Sequence, residues 1–262
     1  MGPQAIRYNS VNCRAYNPEL DVAPFDYLSG IDYGDVPMMP GYLEECFENT
    51  EKVVGEIVRS DVMPIALGGD HSITYPMLRA IASKYGKVSV LHFDAHYDNC
   101  TNYFGKKHNH ATWVYHGVKE GLIDAETSIQ IGMRGSGFAS DRQRSTDLGL
   151  ETITCVEMME MGIKEVGKRI RDRIGNNLTY ASFDIDFVDP ATAPGTGTIE
   201  PGGPNGYQTL SLVRECKNIK LVGMDMVEML PSLDVSGITA NLAANTIYEF
   251  ISMKAYQIKK RI

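Results

Sequence analysis

The sequence predicts a single α/β domain built around a mostly parallel sheet, and three features lead there. Short apolar runs rich in β-branched and aromatic residues alternate with longer helix-like stretches along the chain. Ionisable residues gather directly after four of those runs, at the edge of a parallel sheet where ligands bind. No internal repeat, low-complexity tract or long linker divides the 262 residues, a length that one α/β domain often reaches.

In chain order, a weak strand near Ile31 precedes a helix over Leu43 to Arg59. A strand over Val62 to Leu67 runs into "GGDHS" (68 to 72), and a helix follows over Tyr75 to Lys84. In "KVSVLHFDAHYDN" (87 to 99), Val88, Val90, Leu91 and Phe93 read as a strand buried on both faces, continuing to Asp94. Then come a helix over His110 to Glu120 and strands over Ser128 to Gly132 and Thr152 to Cys155. Glu157 to Asn176 reads as one helix, and Thr179 to Asp184 as a strand entering "DIDFVDP" (184 to 190). A helix over Gln208 to Cys216, a strand over Leu221 to Val227 ending at Glu228, and a helix over Ser236 to Tyr256 complete the chain.

With 43% hydrophobic and 22% charged residues the chain can bury a large core, and disorder is not expected. The net charge of −8 argues against nucleic acid as a partner and mildly favours a cationic small molecule. Nowhere is there an apolar run of the roughly 18 to 20 residues that a membrane span needs, nor a basic-then-apolar signal segment. Five scattered cysteines without a Cys-x-x-Cys pair fit a reducing cytoplasm. All six histidines lie within residues 71 to 116, a clustering that points to a metal or catalytic site there.

Asp94, His96 and Asp98 occupy alternate positions at the end of a buried strand, where an unpaired carboxylate costs several kcal/mol or takes up a proton. His71 adds an imidazole, and Asp184 and Asp186 two more carboxylates. Four carboxylates share one pocket as anions only with cations between them, and two divalent ions cancel their formal charge of −4. Imidazoles and carboxylates without thiolate favour a hard or borderline ion such as manganese over structural zinc.

Each motif alone also has a plain structural reading. "GGDHS" fits a turn with Asp70 as a helix cap, "DAHYD" a polar strand end, and "DIDFVDP" a strand with Asp189 and Pro190 as its turn. All three in order, each at a strand end, point to one site. His92 is expected to pack within its strand, His108 to lie in a loop and His116 on a helix surface, and the thirteen methionines to fill the core.

Together "GGDHS", "DAHYD" and "SFDIDFVDP" resemble the three signatures of the ureohydrolases, the arginase and agmatinase family. The likeness extends from "GPQAIR" (2 to 7) to the C-terminal helix; "APGTGTIEPGG" (193 to 203) and "VGMDMVEMLPSLDVSGITANLAA" (222 to 244) are most similar to agmatinases and related amidinohydrolases. The resemblance implies a three-layer domain around an eight-stranded parallel sheet, assembly as trimers or hexamers, and a pair of manganese ions. It makes His71 and Asp98 ligands of one ion and His96 and Asp186 of the other, with Asp94 and Asp184 bridging both. It also implies a strand before "GPQAIR", lying inside the sheet. Only Met1 precedes that segment here, so unpaired neighbouring strand edges are expected.

A guanidinium is a poor electrophile because resonance spreads its charge, so its hydrolysis needs hydroxide at neutral pH, which divalent metals supply. In that chemistry Asp98 orients the hydroxide, His110 passes a proton to the departing amine, and Glu228, directly after an apolar strand, pairs with the guanidinium. His110 also reads as a helix-capping residue and Glu228 as a surface carboxylate. Agmatine, giving urea and putrescine, is the expected substrate. An ω-guanidino acid such as guanidinobutyrate is the alternative, for which an arginine, Arg134 or Arg142, would meet the carboxylate. A one-zinc deacetylase and an inactive, metal-stabilised interaction protein are the rival classes.

Overall fold

Six parallel strands carry the fold in a computed structural model that describes residues 1–261: β1 (Ile65–Leu67), β2 (Ser89–Phe93), β3 (Ile129–Met133), β4 (Glu151–Thr154), β5 (Leu178–Asp184) and β6 (Lys220–Val227). Helices α1 (Gly2–Asn9) and α2 (Leu43–Arg59) precede β1, and α3 (Thr74–Tyr85) links β1 to β2. Then follow α4 (Trp113–Lys119), α5 (Asp141–Leu148), α6 (Cys155–Met161), α7 (Ile163–Ile174), α8 (Gly206–Glu215) and α9 (Ile238–Lys259). The strand order is β1-β6-β5-β2-β3-β4, with every neighbouring pair parallel.

Alternation along the buried strands divides the side chains between two apolar layers. Leu91 and Phe93 of β2 pack with Ile170 of α7, Val213 of α8 and Phe250 of α9. Val90 points the other way, to Val54 and Val58 of α2 and to Leu78 and Ile81 of α3. Burying one such side chain contributes roughly 1.5 to 3 kcal/mol, which makes the two layers the main source of cohesion. The four strands that end in ionisable residues, β1, β6, β5 and β2, are consecutive in the sheet, so their C-terminal ends converge on one place.

β6 carries an extra residue against β5. Thr179 lies opposite Leu221 but Tyr180 lies opposite Gly223, so Val222 bulges out of the ladder. Beyond the bulge Ser182 stands level with Asp225, and Asp184 with Val227. Gly223 allows α3 to approach closely, since a Cβ there would sit 2.5 Å from Ile81 Cδ1.

The eight-stranded sheet implied by the resemblance is corrected to six strands among the described residues. Near Ile31 there is no strand: Ile31 is 80% exposed, and its loop is tied to α1 by Arg7, which donates to Asp32 and Asp35. The strand expected from Val62 starts only at Ile65 and lies at the sheet edge, where its sole partner is β6. The helix expected over Glu157 to Asn176 is broken at Gly162, whose φ of 78° ends α6 before α7 begins. His110 to Thr112 form a 3-10 turn, and α4 proper starts at Trp113. Helix α5 was not expected, because "DRQRSTDL" has no apolar periodicity. Polar bonds hold it: Asn99 donates to the Asp141 carbonyl and to Ser145, and Ser145 to Gln130. All five cysteines are free, and no helix among the described residues is long and apolar enough to cross a membrane.

Candidate metal centre and active site

Each predicted ligand sits where a strand gives way to a turn that aims its side chain across the sheet edge. After β1, Gly68 and Gly69 lead to Asp70, which accepts from the Ser72 N–H and caps the short turn carrying His71. A Cβ on Gly68 would lie 2.8 Å from Ile73 Cδ1 and 3.0 Å from Val227 Cγ1, so any larger residue there would have to displace both side chains. After β2, the Asp94 carboxylate accepts from the His96 N–H at 2.6 Å, folding His96 back beside it. After β5, Asp184 accepts from the Asp186 N–H at 2.8 Å in the same way. Asp98 and Glu228 both have left-handed backbones, with φ of 48° and 60°, a strained conformation for side chains of this kind and one that clusters at functional sites.

The structure brings all six predicted metal-binding residues together. His71 Nδ1 lies 3.2 Å from Asp94 Oδ2, 3.0 Å from Asp98 Oδ2 and 3.1 Å from Asp184 Oδ2. His96 Nδ1 lies 3.1 Å from Asp186 Oδ2 and 3.4 Å from Asp94 Oδ1. Asp94 therefore turns one oxygen to each histidine, the arrangement of a carboxylate shared between two positions. His96 is the open member at 27% exposure, while the His71, Asp94, Asp98, Asp184 and Asp186 side chains are buried.

These residues fit a metal. His71 Nδ1 is buried without a hydrogen-bond partner although three carboxylate oxygens surround it. Burial, together with the charges of Asp186 and Asp94, pushes the Asp184 carboxyl well above its ordinary range. A cation between the donors removes both penalties, and the oxygen and nitrogen set suits a hard or borderline divalent ion.

His110 stands on the turn before α4, its Nδ1 3.7 Å from Asp70 Oδ2. That neighbour, more than the opposing effect of burial, raises the His110 pKa from its ordinary value. The cap of the turn is Asn109 rather than His110. Glu228 is partly buried and accepts from the His71 N–H at 2.6 Å through Oε1. Burial pushes its carboxyl up to about 7, with Asp70 and Asp98 adding to the effect and the His71 charge opposing it.

Several partners of the site were not read from the sequence. Trp113 Nε1 donates to Asp98 Oδ2 at 2.9 Å, and Thr198 to Asp186 Oδ2 at 2.9 Å. Glu200 approaches His96 Nε2 at 3.5 Å. Gly135 backs the same ring so closely that a Cβ would lie 2.5 Å from His96 Cδ2. His92 is buried as expected, but it bonds the site directly, with Nε2 2.8 Å from Asp94 Oδ2 and Nδ1 3.0 Å from Gln130 Nε2. His116 is not on the surface: it is 8% exposed and its Nε2 meets the Thr101 carbonyl. The two arginines considered for a substrate carboxylate are otherwise engaged. Arg134 donates to the carbonyls of Gly132, Asp186, Phe187, Val188 and Glu200, and Arg142 pairs with Glu157.

Known proteins resemble this chain over most of its length. A guanidinobutyrase of Pseudomonas aeruginosa is 40% identical over 251 residues, covering 95% of this chain and 79% of that protein. A mitochondrial agmatinase of Gallus gallus is 41% identical over 251 residues, covering 95% of this chain and 74% of that one. Among solved structures, a hypothetical agmatinase from Burkholderia thailandensis superposes with a TM-score of 0.91 at 37% identity, over all of this chain and 80% of its own. Proclavaminate amidinohydrolase from Streptomyces clavuligerus gives 0.92 at 34% identity, over 97% of this chain and 85% of its own. The Arginase family profile matches residues 1–252, which include every strand and every residue of the His and Asp cluster, so the chain belongs to the arginase family.

Proposed function

We propose that this protein is a dinuclear manganese amidinohydrolase that hydrolyses agmatine to urea and putrescine. The observation that carries the reading is His71 Nδ1, orphaned among three carboxylate oxygens, with Asp94 turning its second oxygen to His96. His71 and Asp98 would hold one ion, His96 and Asp186 the other, and Asp94 and Asp184 both. Bound there, the ions supply hydroxide at neutral pH, which an unreactive guanidinium needs.

The chain's own residues do the rest. Glu228 has one oxygen fixed by the His71 N–H, leaving the other to hold the guanidinium by charge-assisted hydrogen bonds with its carbon toward the cluster. Asp98, fixed by Trp113, orients the attacking oxygen. His110, with its pKa raised by Asp70, gives a proton to the departing amine nitrogen. Asp70 and Glu228 make the approach anionic, which suits a substrate cationic at both ends, and both candidate arginines are committed elsewhere.

A guanidino acid is the second reading. The guanidinobutyrase relative favours it, as do Lys106 and Lys107, exposed on the loop between Asp98 and His110. Homotrimers or homohexamers in the cytoplasm complete the proposal. The test is metal analysis of manganese-reconstituted protein combined with urea release from agmatine and from 4-guanidinobutyrate. Two ions per chain and a higher kcat/KM for agmatine are expected. One zinc ion per chain, or a higher kcat/KM for the acid, overturns the corresponding half.

A further inference from the structure

We propose that Asp225 is a positioning residue of the metal centre: acting through the Ser182 hydroxyl, it holds His71 in the tautomer whose Nδ1 lone pair faces the three carboxylates. The proposal rests on reading the cluster as a metal site.

Asp225 lies on β6, fully buried, and among the described residues no basic side chain bonds to it. Three hydroxyls surround its carboxylate instead: Thr74 at 2.7 Å and Tyr180 at 2.5 Å on Oδ2, and Ser182 at 2.8 Å on Oδ1. Burial, with Asp225 beside it, pushes the Tyr180 phenol well above its ordinary range, so it remains a donor. A carboxylate oxygen accepts, so Ser182 gives its one proton to Asp225. The Ser182 oxygen can then only accept from the second neighbour it touches, His71 Nε2, at 2.8 Å. Without a metal, against the effect of burial, the surrounding carboxylates raise the His71 pKa well above its ordinary value; once a metal takes Nδ1 the ring is neutral, and its one proton is the one on Nε2. Nδ1 is the nitrogen lying 3.0 to 3.2 Å from Asp98, Asp184 and Asp94.

Packing alone gives no reason for such an arrangement. A buried carboxylate without a cation costs several kcal/mol, and three hydroxyls satisfy its hydrogen bonds without neutralising its charge. Beside a cationic centre the charge is complementary, and through Ser182 it increases the basicity of the ligand nitrogen. The bulge at Val222 makes the relay possible by setting Asp225 level with Ser182.

The test titrates Mn2+ alone into metal-free wild type, Ser182→Ala and Asp225→Asn, followed by calorimetry. Outer partners of metal-bound histidines are commonly worth about 10- to 100-fold in affinity, so one of two Mn2+ sites should weaken by that factor in both variants. The other site and the melting temperature of the metal-free protein should change little. Nitrogen-15 spectra of the zinc-loaded wild type should show His71 protonated at Nε2 and metal-bound at Nδ1. Should Asp225→Asn not fold, Ser182→Ala decides alone. Unchanged Mn2+ affinity in Ser182→Ala, equal weakening of both sites, or His71 bound through Nε2 overturns the relay. A wild type that binds no divalent ion refutes the metal reading and the relay with it.

Discussion

Replacing Glu228 by glutamine keeps the side chain's size and its bond from the His71 N–H, because the amide oxygen can accept where Oε1 now does at 2.6 Å. What is lost is the charge on the oxygen proposed to meet the guanidinium. A hydrogen bond to a charged partner is worth about 1.5 to 3 kcal/mol, or roughly 10- to 150-fold at 1.36 kcal/mol per decade. An NH2 directed at a cationic substrate also disturbs the alignment of the reacting carbon, so kcat/KM for urea release should fall by about 100-fold or more. Both metal equivalents should remain. The same variant has a second signature in metal-free protein. Because the folded carboxyl titrates near 7 and an ordinary glutamate at 4.5, the native state binds the extra proton between those values. The contribution of Glu228 to wild-type stability therefore falls as pH rises from 4.5 to about 7, and glutamine does not titrate. The melting temperature of Glu228→Gln relative to wild type should climb across that window. Near-normal kcat/KM with both metals retained, or a difference in melting temperature independent of pH, refutes this account of Glu228.

Asp98→Asn should lower kcat more than it raises KM, since it weakens a ligand and misdirects the attacking oxygen; unchanged kcat at saturating manganese removes Asp98 from the mechanism. Trp113 is the only tryptophan in the chain and its ring lies 5.1 Å from that of His71, so its emission should change as Mn2+ is added. Constant emission while calorimetry registers binding would contradict its placement beside the centre. Arg134→Met should leave five backbone carbonyls without their donor and cost about 3 kcal/mol or more, roughly 6 to 12 °C in Tm for a domain of this size. A Tm within about 2 °C of wild type would show that the loops around Asp186 and Glu200 do not depend on it.

The residues of the cluster were legible because carboxylates and imidazoles at the end of a buried strand break an otherwise apolar pattern, as Asp94, His96 and Asp98 do after Phe93. Asp225 breaks the pattern in the same way inside "GMDMV", but a single polar residue within an apolar run also fits a buried strand whose carboxylate is bonded by neighbouring hydroxyls. Trp113 and Thr198 gave no comparable sign, since the partners they bond lie 15 and 12 residues away across turns whose paths local spacing does not set. Helix α5 escaped because polar bonds to Asn99 and Gln130 rather than an apolar face hold it. The strand near Ile31 failed for the opposite reason: Ile31 and Tyr33, alternating with Asp32 and Gly34, look like a strand even where nothing pairs with them.

Val222 decides what kind of change β6 can absorb. Leu221 and Met224 face the layer of Phe183 and Phe250, whereas Val222 and Gly223 both face α3, so the bulge is where the alternation of the strand is interrupted. Removing Val222 would leave Leu221 opposite Thr179 and Gly223 opposite Tyr180 in a regular ladder, with Asp225 still level with Ser182. A single-codon deletion beyond the bulge would instead put the residues after it out of register and carry Glu228 away from His71, so it should be the more damaging of the two. The loop around Ile31, exposed and paired with no strand, should accept insertions of several residues.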